Sequence, residues 1–423
     1  MSSTKIMSAI LTNTGHVLTK KGNIIHISIA RMINSKTLIN QKSIDEPVNI
    51  GVPQPEPDKI QAAVLKEFSK PLLIENVEPP QIQHKNNEVL IDVHYCALNG
   101  PDILQMRNAY TSTTTLPKIL GYEVGGKILQ ISEGAKAKAK ADGLKIGDYV
   151  VALNKLHSRG LAQQCIADIT DIWKVPSSSK LVDSVCILEN YMTALIGLEK
   201  KAHLEENEMV LVNVGLGGVA LAAVDIAANV FRAQVIGVSA TEEKAIHVRE
   251  KGAFASLAFN DKKLVKKIKE FAAERGIEGV FDGTEGEKFK QILDCFTKVY
   301  GDNFSSDILR DDNFSIVVEH LSRQGRLIIA GFVPREEDNR NEMKNSLIPS
   351  GINLREYKME NYESYREVGQ DVLQYYEEGL IKPSYSFITG LYNVNEAVSC
   401  ISNMKCFGKV IINLKQPNTI NEK

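Results

Sequence analysis

From Ile60 onward, apolar and polar positions alternate in short runs set between turn residues. "AAVLKEF" from Ala62, "EVLIDVHYCAL" from Glu88, "GGKILQIS" from Gly125 and "GDYVVAL" from Gly147 are β-branched or alternating stretches, and together they predict a mostly antiparallel β region. The lysine and alanine stretch "GAKAKAKADGLKIGD" reads as a solvated loop or a short exposed helix. Beyond Val182 the pattern changes to strands alternating with helices: "MVLVNV" and a helix, "AQVIGVSA" and "EEKAIHVREKGA", "GVFDG" and "EKFKQILDCF", then "GRLIIAGF". Such alternation predicts a parallel sheet covered by helices. After Tyr357 come one long amphipathic helix, "YREVGQDVLQYYEEG", and a last strand, "GKVIINL", for which the parallel sheet has no place. A return to the first domain would accommodate both. The expected organisation is a β-rich domain over 60–182, an α/β domain over 183–357, a return over 358–415 and a tail over 416–423.

The N-terminus follows a different rule. Residues 1–44 carry Lys5, Lys20, Lys21, Arg31, Lys36 and Lys42, many Ser, Thr and Asn, and no acid before Asp45 and Glu46. A basic, acid-free leader of this kind suits a mitochondrial transit peptide and a matrix location, while its single arginine leaves a polar tail and a cytoplasmic location as the alternative. Four prolines mark 45–59 as a linker. The remaining composition changes little: 43% apolar and 24% charged residues in 423, with a formal net charge of −2, call for no polyanionic partner and no acidic membrane. No uninterrupted apolar run approaches the roughly 20 residues that span a bilayer. The six cysteines are scattered without the spacing of a zinc loop, and the eight histidines form no ligand set.

The chemistry concentrates in "VLVNVGLGGVALAAV". Gly215, Gly217 and Ala220 fall at the spacing G-x-G-x-x-[GA] between a strand and a helix that Gly218 helps to open. Small residues are needed there because a pyrophosphate must approach backbone N–H groups at a helix N-terminus, where unpaired donors and the dipole favour negative charge. The third position serves helix-to-strand packing and tolerates one methyl. About twenty residues on, Ser239 stands where an NAD-selective fold places an acid, and it cannot repel a 2′-phosphate. Lys244 follows and could supply the counter-charge, or could be a surface lysine beside Glu242 and Glu243.

With these runs in view, the chain from about Ile60 to Leu414 resembles the medium-chain dehydrogenase/reductase superfamily, in its zinc-independent quinone oxidoreductase branch. The matching text includes "EVLIDVHYCALNGPD", "ILGYEVGG", "IGDYVVAL", "RGLAQQCIA", "VGLGGVALAAV", "EKGA", "GIEGVFD", "GRLIIAGF" and "GKVIINL". The resemblance implies an α/β protein: a GroES-like β-rich catalytic domain built from the first and last segments, with an inserted Rossmann doubly wound parallel sheet and the active site in the cleft. In zinc-dependent relatives a cysteine matches Asn99 and a histidine matches Tyr122; neither residue here is a usual zinc ligand, and the four-cysteine lobe is absent. No metal is expected.

What the resemblance implies is an NADPH-dependent reductase of a quinone or an α,β-unsaturated carbonyl, acceptors that take hydride without a metal polarising the oxygen. Thr193, Gly331 and Phe332 would flank the nicotinamide. Asn99 would bond the cofactor ribose or the substrate carbonyl, or else be a turn asparagine bonding its own backbone. Tyr110 and Tyr122 are the candidate donors to a developing oxyanion, or aromatic walls. Three departures stand out: Leu104 where bacterial quinone reductases often carry tyrosine, Leu216 where a small residue is usual, and Asp225 where glutamine is usual. They favour the alternative of a non-enzymatic dinucleotide-binding protein of the same fold, which the intact Asn99 element opposes. The polar stretch over 297–315 is longer than the family needs and reads as a surface loop for a partner subunit. The expected assembly is a homodimer, with no nucleic acid and no membrane as partner.

Overall fold

The computed structural model describes a strand pair at 16–18 and 24–26 and residues 54–108, 114–155, 157–215, 218–272, 277–282, 326–329, 354–403 and 405–416. Tyr110, Leu216, Gly217, Gly331, Phe332, the stretch "EKFKQILDCF", the 297–315 insertion and, the strand pair aside, the basic leader lie outside the described residues. The chain divides into two compact units, Met1–Gly51 and Val52–Lys423. In the first, β1 (His16–Leu18) pairs antiparallel with β2 (Ile24–His26).

The second unit begins with β3 (Ile60–Leu65), β4 (Leu73–Val77) and β5 (Glu88–Leu98). These are followed by α1 (Gly100–Met106), β6 (Lys118–Ile119), β7 (Glu123–Ile131) and α2 (Lys136–Ala141). The lysine and alanine stretch thus forms a short helix, anchored by buried Ala139. Three more strands, β8 (Tyr149–Leu153), β9 (Gln164–Asp168) and β10 (Ile172–Val175), complete this part. β5 organises it because alternate side chains along the strand face opposite sides: it pairs antiparallel with both β7 and β9, and its apolar residues enter a core with β3, β8 and β10.

The chain then runs through α3 (Leu181–Ser184) and α4 (Leu188–Leu195) into β11 (Met209–Gly215), α5 (Gly218–Asn229), β12 (Gln234–Ser239) and α6 (Glu242–Glu250). β13 (Ala255–Ala258), α7 (Leu264–Ala272), β14 (Gly279–Asp282) and β15 (Arg326–Ile329) follow. The strand order β13-β12-β11-β14-β15, with every pair parallel, is the doubly wound arrangement. α5 is apolar on most of its circumference, with Ala220 through Ala227 buried and Asp225 the one charged residue among them, because it is covered by the sheet on one side and α4 on another.

Last come α8 (Leu354–Glu360), α9 (Tyr362–Glu377), β16 (Tyr385–Gly390), α10 (Val394–Ser402) and β17 (Lys409–Asn413). β17 lies antiparallel to β5 and parallel to β16, so the C-terminal segment joins the β-rich sheet rather than the parallel one. α9 is held against β10 by Trp173: the indole Nε1 donates to the Arg366 carbonyl (3.2 Å), the Arg366 guanidinium lies 4.5 Å from the ring centre, and an added Cβ at Gly369 would stand 2.3 Å from the ring. Asp171 accepts from Lys358 Nζ (2.7 Å) and from the Tyr365 hydroxyl (2.9 Å), tying α8 and α9 to the same edge.

Candidate active site

The site is built where β5 ends. Pro101 at the start of α1 presets the first helical turn, and Asp102 reaches back: its Oδ2 accepts from the Asn99 N–H and its Oδ1 from the Gly121 N–H, each at 3.0 Å. Gly121 has φ +84°, and a Cβ there would meet Cys96 Sγ at 2.6 Å, so this tight turn requires glycine. It delivers Tyr122 and Glu123 to the same place. Full burial pushes the Asp102 carboxyl up to about 7, against the opposing pull of its two backbone donors and of Lys409.

A closed polar ring fills this position. Asn99 Nδ2 donates to Glu123 Oε2 (3.0 Å), Lys409 Nζ donates to the same oxygen (2.5 Å), and Lys409 Nζ also donates to Asn99 Oδ1. All three residues are buried, Glu123 completely. The ring joins the end of β5, the start of β7 and the start of β17. A buried carboxylate and a buried ammonium are tolerated because each is paired and hydrogen-bonded. Asn99 is therefore not free for a ligand on all sides: its carboxamide is oriented by two charged neighbours, and its Nδ2 also lies 3.4 Å from the carbonyl of Ala97 two residues before it. Tyr122 is buried beside the ring, with the Lys155 ammonium 5.2 Å from its ring centre, and Lys155 is paired with Glu189 at 2.8 Å.

Helix α4 connects this ring to the glycine turn. The Glu189 N–H donates to Glu123 Oε1 (2.9 Å), and the next residue, Asn190, packs so closely on Gly218 that a Cβ there would lie 2.1 Å from its Nδ2. Gly218 thus serves the approach of α4 to the N-terminus of α5. Thr193, one helical turn further, is buried, and its hydroxyl is satisfied within α4 by donating to the Glu189 carbonyl (2.7 Å). Ala220 is buried in the α5 packing.

At the other rim, Gly215 lies in parallel register with Ser239 across a bulge. Ser239 is fully buried, and its hydroxyl donates to the Thr241 carbonyl (2.9 Å) and lies 3.4 Å from that of Leu257. Its consequence for a dinucleotide is the absence of a carboxylate at the strand end rather than a contact of its own. Thr241 caps α6, accepting from the Lys244 N–H at 3.3 Å. The Lys244 charge bears on Cys406, three residues before Lys409, and the His247 ring stacks on Phe407 with centres 4.8 Å apart. The segment 405–409 therefore runs from its contact with α6 to the polar ring; the structure brings together Asn99, Tyr122 and the α4 face, and carries Lys244 on α6 at the other end of that segment.

Of the departures, Leu104 is a buried core residue of α1. Asp225 anchors a network: its Oδ2 accepts from the Tyr191 hydroxyl (2.7 Å), Lys251 Nζ (3.0 Å) and the Lys382 N–H (2.9 Å), and its Oδ1 from Asn229 Nδ2 (2.9 Å). Among the described residues no three His, Cys, Asp or Glu side chains converge as a ligand set.

Residues 85–182 match the alcohol dehydrogenase GroES-like domain. A quinone oxidoreductase-like protein 2 homolog from Nematostella vectensis is 30% identical over 361 residues, spanning 84% of this chain and 89% of the relative. The chain belongs to the quinone oxidoreductase-like proteins of the medium-chain dehydrogenase/reductase superfamily. As such it is an oxidoreductase, and its fold matches those of solved relatives. An Escherichia coli quinone oxidoreductase complexed with NADPH superimposes with TM-score 0.63 at 19% identity, covering 84% of this chain and 99% of that one. The CurK enoyl reductase gives TM-score 0.65 at 20% identity, with the same coverage.

Glu123 and Lys409 are the site residues that motif reasoning missed. Both sit inside apolar strand text, "GYEVGG" and "GKVIINL", and two opposite charges at strand starts that must be buried were the signal available.

Proposed function

We propose that this oxidoreductase reduces a quinone or an α,β-unsaturated carbonyl with NADPH and without zinc. The observation that carries the reading is the Asn99–Glu123–Lys409 ring. A buried ammonium already balances the Glu123 carboxylate, and the residues matching zinc ligands in metal-dependent relatives are a carboxamide and a phenol. A divalent cation beside that ammonium would be repelled in a medium where charges interact strongly. The glycine turn at the head of a twelve-residue helix, with no acid at Ser239, fits a phosphorylated dinucleotide. Quinone and enoyl reduction, the activities in the names of the relatives, are both hydride additions to conjugated acceptors.

NADPH, when bound, supplies the hydride. The polar ring fixes the end of β5, and α4, bonded to Glu123 and packed on Gly218, sets its spacing from the glycine turn. Tyr122 donates toward the oxygen on which charge develops, and the Lys155 cation near its ring favours that donation. The test is NADPH consumption by the purified full-length chain against a panel of quinones and enones. Turnover with at least one acceptor is expected, and Tyr122→Phe should lower kcat on the order of a hundredfold or more while leaving NADPH affinity unchanged. NADPH binding without turnover of any acceptor would replace this reading with the non-enzymatic one.

A further inference from the structure

α10 ends at Ser402, and the chain turns back at once into β17. At that turn the Lys405 N–H donates to the Cys400 carbonyl (2.9 Å), and the Cys406 thiol lies 3.7 Å from the same oxygen. The Cys406 thiol is thus held against the backbone of Cys400 itself, at the C-terminal end of α10. Cys400 is partly buried against the β-rich core, whereas Cys96, Cys165, Cys186 and Cys406 are buried, so among the described cysteines Cys400 is the most accessible. The turn is also a boundary: Phe407 meets His247 of α6, Lys244 bears on Cys406, and Lys409 belongs to the polar ring.

We propose that Cys400 and Cys406 form a reversible disulfide, a redox modification site at the turn that joins the dinucleotide rim to the ring. The oxidant is a small-molecule disulfide such as oxidised glutathione. The Cys400 thiolate attacks one of its sulfurs, that S–S bond breaks, and one glutathione thiolate leaves. The Cys406 thiolate then attacks the Cys400 sulfur, the mixed disulfide breaks, and the second glutathione leaves. Two electrons pass from the cysteine pair to glutathione, and the two thiol protons end on the released glutathione. Cys400 is the attacking residue because it is accessible; burial pushes the Cys406 thiol up, so it reacts second, against a sulfur already held beside it. Closure ties 405–407 covalently to the end of α10, next to the contact that Phe407 makes with α6. The expected effect on the cofactor rests on the NADPH reading above, but the bond itself does not.

The test uses the full-length protein equilibrated in glutathione buffers of increasing oxidation. Trypsin cleaves after Lys405 and so separates the two cysteines; a disulfide therefore appears as two linked peptides that part on reduction. The expected result is that link, lost in Cys400→Ser, with glutathione accumulating on Cys400 in Cys406→Ser. NADPH affinity should fall several-fold on oxidation and recover on reduction, and Cys400→Ser should not respond. A stable glutathione adduct on Cys400 of the unmodified protein, or no change at either cysteine, would overturn the site. A link with unchanged NADPH affinity would overturn the coupling.

Discussion

At the residue scale the site is governed by how three buried charges are settled. Glu123 and Lys409 neutralise each other through Asn99, whereas Asp102 is satisfied by two backbone N–H groups and has no ammonium of its own. Its carboxyl therefore titrates at about 7 in the folded chain, against roughly 3.9 when unfolded. Between these values the folded state holds the proton and the unfolded state does not, so the contribution of Asp102 to stability falls as pH rises from about 4 to about 7 and is flat above. Asp102→Asn does not titrate. Denaturant unfolding at about pH 5 and about pH 8 should show the unmodified protein losing about 2 kcal/mol relative to the variant as pH increases; a constant difference would mean that Asp102 is ionised throughout. Residues in such positions are hard to read from sequence. Asn99 and Tyr122 could be found because they stand in for ligands, but which atoms Asn99 holds depends on Lys409, more than three hundred residues away. Ser239 was legible as a missing acid, yet not as a hydroxyl spent inside the sheet.

At the element scale, most strands were legible because their alternation is dictated by one buried face. β5 matches the stretch read from Glu88 to Leu98, and β11, β12 and β14 match the apolar runs of the parallel sheet. β4, "LIENV", and β16, "YSFITG", were less so, since their residues are mostly half-buried or exposed and carry little pattern. The contact between α9 and β10 shows what pattern alone leaves out: a helix of ordinary amphipathicity carries a glycine at its face because an indole occupies the space. Gly369→Ala should force Trp173 or the helix to move. Overpacking of this kind costs about 1–3 kcal/mol, even though alanine is the better helix former by roughly 1 kcal/mol. Thermal unfolding of the variant tests this, and a more stable protein would show that the helix yields without penalty.

At the scale of the whole molecule, the C-terminal segment is the element that makes one site out of two folds. It leaves the α/β part, lays β17 on β5, supplies Lys409 to the ring and meets α6 through Phe407 on the way. The proposed hydride transfer needs a dinucleotide at the glycine turn and an acceptor at Tyr122 at the same time, and α4 packs against both Glu123 and Gly218. On the proposed reading, Lys244 adds a charge-assisted bond to a 2′-phosphate, worth about 1.5–3 kcal/mol or roughly ten- to a hundredfold in affinity. The most direct measurement is a single turnover of the full-length protein with the best acceptor of the panel and NADPH deuterated at the carbon that transfers hydride. The account predicts deuterium on the product, faster labelling from NADPH than from NADH, and loss of that preference in Lys244→Ala. Unlabelled acceptor recovered from a protein that has bound the dinucleotide would contradict it.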